Sequence, residues 1–382
     1  MKGIYILHEG IPSSIFESQV LNHILEMNKK GIDFEIIAFN TENKIFLKSK
    51  EMKKKINKRY PKLKIKLFKS ISIYYPLAFL VHFFQLVYYL KNKRFDFIHS
   101  RSDYSQFISL LMKPFIKSRF IWDCRGDSID ELKLAIENKS FLIKLYYWFY
   151  LKNIQNLIVF ICRKYSDGCI YVSEYLKIKR LIKSQNIIVV PCCSSTDLFY
   201  YSQKIRQHNR KKMNYTPADK IFIYVGSMVP YQSIDLFNDL IKKINNTKNY
   251  KFLVVTTDIK KASLSFKSVK REKINILMSD FYEINKYYNV ADFAILIRSD
   301  RSLNHVASPT KFGEYCLTGL PVIMNNTVKQ SESFSKIIGN KIDFRIMNLS
   351  KKIDRKNISL KSKQFFDRNL YVNNYVTLYS NV

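Results

Sequence analysis

Residues 291–325, ADFAILIRSDRSLNHVASPTKFGEYCLTGLPVIMN, decide the fold. A buried strand, Phe293 to Ile297, ends at the charged Arg298, and a polar loop leads into Ser308-Pro309-Thr310-Lys311. That tetrapeptide opens a helix, with Ser308 suited to the N-cap and Pro309 to the first helical position. Gly319 supplies the left-handed stop before the strand Leu320 to Met324. The unit is strand, loop, short helix, strand.

Lys311 is the odd residue, because a cation in the first helical turn opposes the macrodipole. No acid lies in that turn. Free helix N–H groups, Lys311 and Arg298 together make a place for an anion such as a diphosphate. Glu314, three residues on and on the same face, offers a carboxylate to vicinal hydroxyls. Phosphate and sugar together mean a nucleotide. The competing reading is a solvated lysine and a surface glutamate on an ordinary crossover helix.

Strand-length apolar runs alternate with helical patterns along the whole chain. They stand at Gly3–Leu7, Phe34–Phe39, Phe95–Ile98, Arg119–Trp122, Gly168–Val172 and Ile187–Val190. A second series follows at Ile221–Val225, Lys251–Val255, Ile274–Leu277, Phe293–Ile297 and Leu320–Met324. Such alternation predicts parallel sheets covered by helices on both faces, and it happens twice. The polar stretch Tyr200–Lys220 reads as the linker region between the two series.

The stretch 291–325 resembles the nucleotide-binding region of the family 4 glycosyltransferases, with ADFAILIR, SPTKFGEY and GLPVI in order. The resemblance implies the α/β GT-B fold, two Rossmann-like doubly wound domains facing across a cleft. It implies domains at 1–200, binding the acceptor, and 201–363, binding a nucleotide-sugar, with a final helix over 364–382 crossing back to the first. The diphosphate role falls on the helix start with Ser308, Thr310 and Lys311, the ribose role on Glu314. Many members carry a second glutamate eight residues before that one, where Val306 stands here. Gly226 and Ser227, after a strand, match a nucleotide-side loop; Gln232-Ser233 replaces its common Lys-Gly, so Arg298 and Lys311 supply more of the charge.

In the first domain the loop His8-Glu9-Gly10-Ile11-Pro12-Ser13-Ser14 is no dinucleotide fingerprint, since no G-x-G-x-x-G occurs. Gly10 and Ser13 compete as site candidates with a plain turn, ahead of a helix expected over Glu17–Lys30. His99 and Arg101 follow one strand, Asp123, Arg125 and Gly126 the next, at the edge where open parallel sheets bind ligands. Strand-end ion pairs are the alternative. The resemblance extends to H-x-R and D-x-R-G here, and to two later landmarks at Ser166–Ser173 and Val190–Phe199.

The 382 residues have room for two domains, each with its own core. A formal charge of +33 raises nucleic acid, an anionic membrane surface or acidic substrates as partners. Basic residues are spread over both domains and no nucleic-acid motif appears, so no nucleic acid is expected. Six cysteines without C-x-x-C pairs fit a reduced cytosol, and the opening MKGIYILHEG lacks a signal-peptide pattern. Lys48–Lys69 reads as a solvated basic face. Ile71–Leu90 approaches the roughly 20 apolar residues of a span, but Pro76, His82 and Gln85 interrupt it. A basic segment beside an aromatic one has the composition of a membrane-surface anchor, and Phe141–Cys162 repeats the theme.

The expected activity is retaining transfer of a hexosyl group from a nucleotide-sugar donor to an acceptor hydroxyl, in surface polysaccharide or lipid-linked glycan assembly. No D-x-D occurs, so neither metal nor other cofactor is expected, and Lys311, Arg298, Asp123 and Arg125 are the catalytic candidates. The expected place is the cytoplasm, peripheral at the cytosolic face of the membrane. The rival readings are a basic nucleic-acid-binding protein and a catalytically degenerate scaffold of the same fold.

Overall fold

The computed structural model describes residues 1–12, 15–75, 77–180, 186–347, 349 and 353–381. Two compact units divide the chain, Met1–Val190 with Tyr371–Val382, and Pro191–Leu370. Each is built on one parallel sheet.

The first sheet has strands β1 (Lys2–Leu7), β2 (Asp33–Asn40), β3 (Lys64–Lys69), β4 (Phe97–Arg101), β5 (Arg119–Cys124), β6 (Gly168–Tyr171) and β7 (Ile187–Val189), in the order β3-β2-β1-β4-β5-β6-β7. The second has β8 (Lys220–Val225), β9 (Tyr250–Val255), β10 (Ile274–Leu277), β11 (Phe293–Leu296), β12 (Val322–Met324) and β13 (Lys341–Asp343), in the order β10-β9-β8-β11-β12-β13. All pairings are parallel. The order reverses beside β1 and again beside β8, so each sheet is doubly wound with one switch point. Helices cover both faces, which is why the central strands are apolar without a break. In β8 Ile221, Ile223 and Val225 join one core, while Phe222 and Tyr224 join the core on the opposite face.

Several local expectations change. Tyr200–Lys220 is no linker: it holds the helix Gln203–Lys212, whose cap Ser202 accepts from the Ile205 N–H. Arg206 and Arg210 anchor that helix on Asp292 and on carbonyls ending the helix Ile284–Val290, so its polar side chains are tethers. Lys48–Lys69 spans the helix Asn43–Arg59 and then β3, an edge strand whose lysines discourage further pairing. The helix expected over Glu17–Lys30 starts as a π turn, Phe16–Leu21, and continues as α over Asn22–Lys29.

The final segment is two helices, Arg355–Phe366 and Val372–Asn381. They part at Asp367 because the backbone there pairs with Ser194: Ser194 N donates to Phe366 O, and Arg368 N to Ser194 O. The second helix belongs to the first unit, where the Tyr379 hydroxyl meets the rings of His23 and His99. All six cysteines are free and buried.

Candidate functional site

In the second unit the switch point brings together the loops after β8 and β11 and the helix Thr310–Leu317. Pro309 is the N-cap in the structure, and Ser308 instead accepts from the Cys192 N–H at 2.9 Å. The expected hydroxyl cap is thus spent on tethering residue 192. Pro309 offers no side-chain cap and no acid lies in the first turn, which leaves the N-terminal end for an acceptor from outside. Gly319 ends the turn that follows at φ +71°, and a Cβ there would lie 2.1 Å from the Arg355 carbonyl oxygen. No other residue fits.

Arg298 is 7% exposed. Its Nη1 donates to the carbonyls of Ile297 and Gln232 at 3.1 and 3.3 Å, and among the described residues no carboxylate pairs with it. Burial lowers the guanidinium's pKa below its ordinary value, with the Tyr224, Tyr315 and Tyr231 hydroxyls opposing. The Arg298 carbonyl is held by Asn325 Nδ2 at 2.6 Å and Thr327 Oγ1 at 3.2 Å. Ser233, in the left-handed region at φ 54°, accepts from the Ser299 N–H at 2.9 Å and ties the β8 loop to the β11 loop. In that loop Gly226 donates to Val255 O, and Ser227 O accepts from the Tyr224 hydroxyl at 2.8 Å. A rigid frame thus holds a buried cation with spare donors.

Glu314 lies deeper than a surface residue, with no exposure. Its Oε2 accepts from Lys311 Nζ at 2.9 Å and from the Tyr288 hydroxyl, while Oε1 has no partner among the described residues. The solvated-lysine reading fails for this helix, and so does any view of Glu314 as lying outside the core. Thr310 is partly exposed at the first helical position. Val306 is buried, closing the short turn Ser302–His305.

In the first unit the candidates gather at the carboxyl ends of β1, β4 and β5. Asp123 is fully buried, 2.8 Å from Arg125 Nε and 3.2 Å from His99 Nε2, and accepts from the Tyr5 hydroxyl at 3.2 Å. Burial alone would raise its carboxyl, but Arg125, His99 and Arg101 hold it far below the carboxylate range. His99 stacks on Tyr5 with centroids 4.3 Å apart, and burial keeps its pKa below the ordinary value despite Asp123. It is a packed residue, not one open to solvent. Arg101 is buried, with Nε 3.7 Å from Glu9 Oε1 and, among the described residues, no hydrogen-bond partner for Nε or Nη1. Gly10 sits at φ +68°, where a Cβ would strike Asn40 Oδ1 and Ile45 at 2.8 Å, so this glycine serves a tight turn. Ser13 lies outside the described residues.

Sequence reasoning missed Tyr288, Tyr5 and Tyr379, whose hydroxyls organise Glu314, Asp123 and His99. Their strand and helix positions signal only core. Ser102, at φ 81° after β4, and Ser233 were also illegible, since nothing in a serine announces a left-handed backbone.

The two doubly wound sheets define a GT-B fold. Among solved structures the chain is similar over 100% of its length to all of HepE from Anabaena, in complex with UDP and glucose, at 10% identity and a TM-score of 0.74. It is similar over 100% to 98% of sucrose-phosphate synthase from Thermosynechococcus elongatus, at 13% identity and a TM-score of 0.67. It is also similar over 99% to 98% of WaaG, a glycosyltransferase involved in lipopolysaccharide biosynthesis, at 11% identity and 0.60. At such identities the likeness is one of fold. No family model and no curated protein matches the sequence.

Proposed function

We infer that the chain is a glycosyltransferase that moves a hexosyl group from a nucleoside-diphosphate sugar to an acceptor hydroxyl. The observation that carries this reading is Arg298, a buried guanidinium with only carbonyl partners, held rigidly at the switch point of the second sheet. An unpaired buried charge is costly, and a bound diphosphate would supply the missing counter-charge. Gly226 and Ser227, the uncapped helix start at Ser308 and Thr310, and Lys311 surround the same ligand. Glu314 Oε1 takes a ribose hydroxyl. The fold agrees, and HepE was solved with UDP-glucose as well as with UDP.

As the sugar leaves, charge grows on the β-phosphate, where Arg298, Lys311 and the helix dipole stabilise it without reorganising. With no D-x-D in the sequence, the mechanism we propose needs no metal clamp. Attack on the face the diphosphate leaves would give retention, as in the family 4 enzymes, with that phosphate taking the acceptor proton. The first unit would hold the acceptor, a lipid-linked or surface glycan, with Arg101, Arg125 and Gly10 at the carboxyl edge of its sheet. Asp123 and His99 act there by positioning Arg125. Work on such an acceptor would place the protein in the cytoplasm, peripheral at the membrane.

The test is a thermal-shift screen against UDP, GDP, ADP and their sugars, followed by nucleoside-diphosphate release with and without EDTA. Stabilisation by one nucleotide and chelator-resistant turnover are expected. No shift with any nucleotide would sink the transferase reading, and turnover restored only by manganese or magnesium would sink the metal-free mechanism.

A further inference from the structure

The first unit carries an apolar face that stays exposed among the described residues. The helix Ala78–Leu90 buries Ala78, His82, Leu86 and Leu90 on one side. Leu80, Val81, Phe84 and Tyr88 form a stripe on another, and Phe84 and Tyr88 are 63% and 70% exposed. The helix Phe141–Tyr146 buries none of its residues and runs into Tyr147–Leu151, where Trp148 and Phe149 are 60% and 62% exposed. These segments meet, because the Tyr146 hydroxyl donates to the Tyr74 carbonyl at 3.2 Å, just ahead of the first helix. Large apolar side chains left exposed on two such linked segments mark a contact surface.

Its charge says what covers it. Residues 70–94 and 138–165 contain no aspartate or glutamate. Lys91, Lys152 and Lys164 lie over the rings of Tyr88, Trp148 and Phe160, 5.7 to 5.9 Å from the centroids. Aromatic rings edged by lysines match the headgroup level of an anionic bilayer, the acids that act on Tyr147 and Tyr74, Asp130 and Glu131, standing outside the two segments. A second copy would bring the same cations against themselves.

We propose that the face formed by Ala78–Leu90 and Phe141–Leu151 seats on an anionic lipid surface, rings in the headgroup boundary and lysines on the lipid phosphates. This deepens the transferase reading by naming the surface on which the enzyme works and the residues that enter it. No helix among the described residues is long and apolar enough to cross a membrane, so the face lies in the interface plane.

The protein carries its own reporter. Of its two tryptophans, Trp122 is fully buried with Nε1 on Asp103, whereas Trp148 stands in the proposed face. The full chain is mixed with phosphatidylglycerol-rich or pure phosphatidylcholine vesicles. Cosedimentation with the anionic vesicles, weakened by high salt, is expected, with a blue shift of tryptophan emission and loss of iodide quenching. The double variant Phe84→Glu, Trp148→Glu, its fold checked by circular dichroism, should lower vesicle partition about a hundredfold, since two large apolar side chains no longer leave water. Lys311→Ala should partition like the parent while turning over donor more slowly, so this proposal and the transferase reading fail separately. Absence of cosedimentation with either vesicle, or unchanged partition of the double variant, overturns the proposal. So does a dimer seen by light scattering that the double variant dissolves, which would give the face to a second copy.

Discussion

The carboxyl edges of the two sheets hold buried charge in opposite states. In the first unit Asp123 lies beside Arg125 and His99 and accepts from Tyr5, although its Oδ1 has no hydrogen-bond partner among the described residues, and Arg101 has Glu9 within reach. In the second, Glu314 is paired with Lys311, but Arg298 has no carboxylate among the described residues. Both sheets reverse their order in the same way, the first adding one more strand at its edge, so topology does not distinguish their carboxyl edges. Charge pairing does: a buried charge with an opposite charge beside it builds structure, whereas one without keeps free energy in reserve for a ligand. In the function proposed above, that difference makes the second edge the donor side.

The sharpest way to break the comparison is to unpair the first edge. Asp123→Ala leaves Arg125 and His99 without their carboxylate, and removing one partner of a buried pair costs about 3 to 5 kcal/mol. Denaturant unfolding should show a loss of that size, and a loss near zero would mean that the pairing builds no structure. At the second edge the expectation inverts. Arg298→Met should lower turnover about 10²- to 10³-fold, as for a lost electrostatic donor. Without nucleotide its stability should stay within about 1 kcal/mol of the parent, because an unpaired buried cation is exchanged for an apolar side chain of similar length. Lost stability with retained turnover would make Arg298 a structural residue.

Much of this was legible in the chain. The eleven strand runs read from the sequence all hold strands, because a doubly covered parallel strand is apolar throughout and cannot be disguised. The two missed strands, β3 and β13, lie at sheet edges, where the lysines of β3 look like a solvated run. Of the residues proposed for the donor side, Arg298, Lys311 and Glu314 could be named from position and charge. Their pairing could not: the Lys311 to Glu314 bond and the Tyr288 hydroxyl depend on how one helix packs on another, which periodicity does not encode. Nor could a sequence say that Ser308 would cap nothing, since its competitor, the Cys192 N–H, lies far away in the chain.

A smaller effect separates the units by pH. Burial brings the His82 imidazole down to about 4 and lowers His8 well below its ordinary range, whereas His208 and His305 of the second unit are not buried. Above pH 6.5 His82 is neutral folded and unfolded, so it has no effect on stability. As pH falls towards 4 the unfolded chain takes a proton that the folded unit refuses, and stability is lost. For His82 alone this amounts to about 2 to 3 kcal/mol, levelling off below pH 4. Hydrogen exchange between pH 7 and 4 should show protection lost first in strands β1 to β5. Loss beginning in the second sheet would refute the assignment.

The smallest effect tests the second edge from within. Tyr288 and Lys311 both hold Glu314 Oε2, and together they fix the plane of the carboxylate so that Oε1 stays free. Burial and the neighbouring carboxylate push the Tyr288 hydroxyl well above its usual range, so it remains a donor at every working pH. Tyr288→Phe removes that donor and little volume, and a hydrogen bond to a charged group is worth about 1.5 to 3 kcal/mol. Part of that loss is recovered by Lys311, which keeps its own contact and can draw the carboxylate towards itself. Calorimetry with the nucleotide found in the screen should therefore show affinity falling by about tenfold or less. Donor turnover at saturation should hardly change, because Tyr288 touches neither the diphosphate nor the sugar in the proposed arrangement. A drop confined to turnover would mean that Glu314 serves the reacting sugar, and its ribose role would have to be given up.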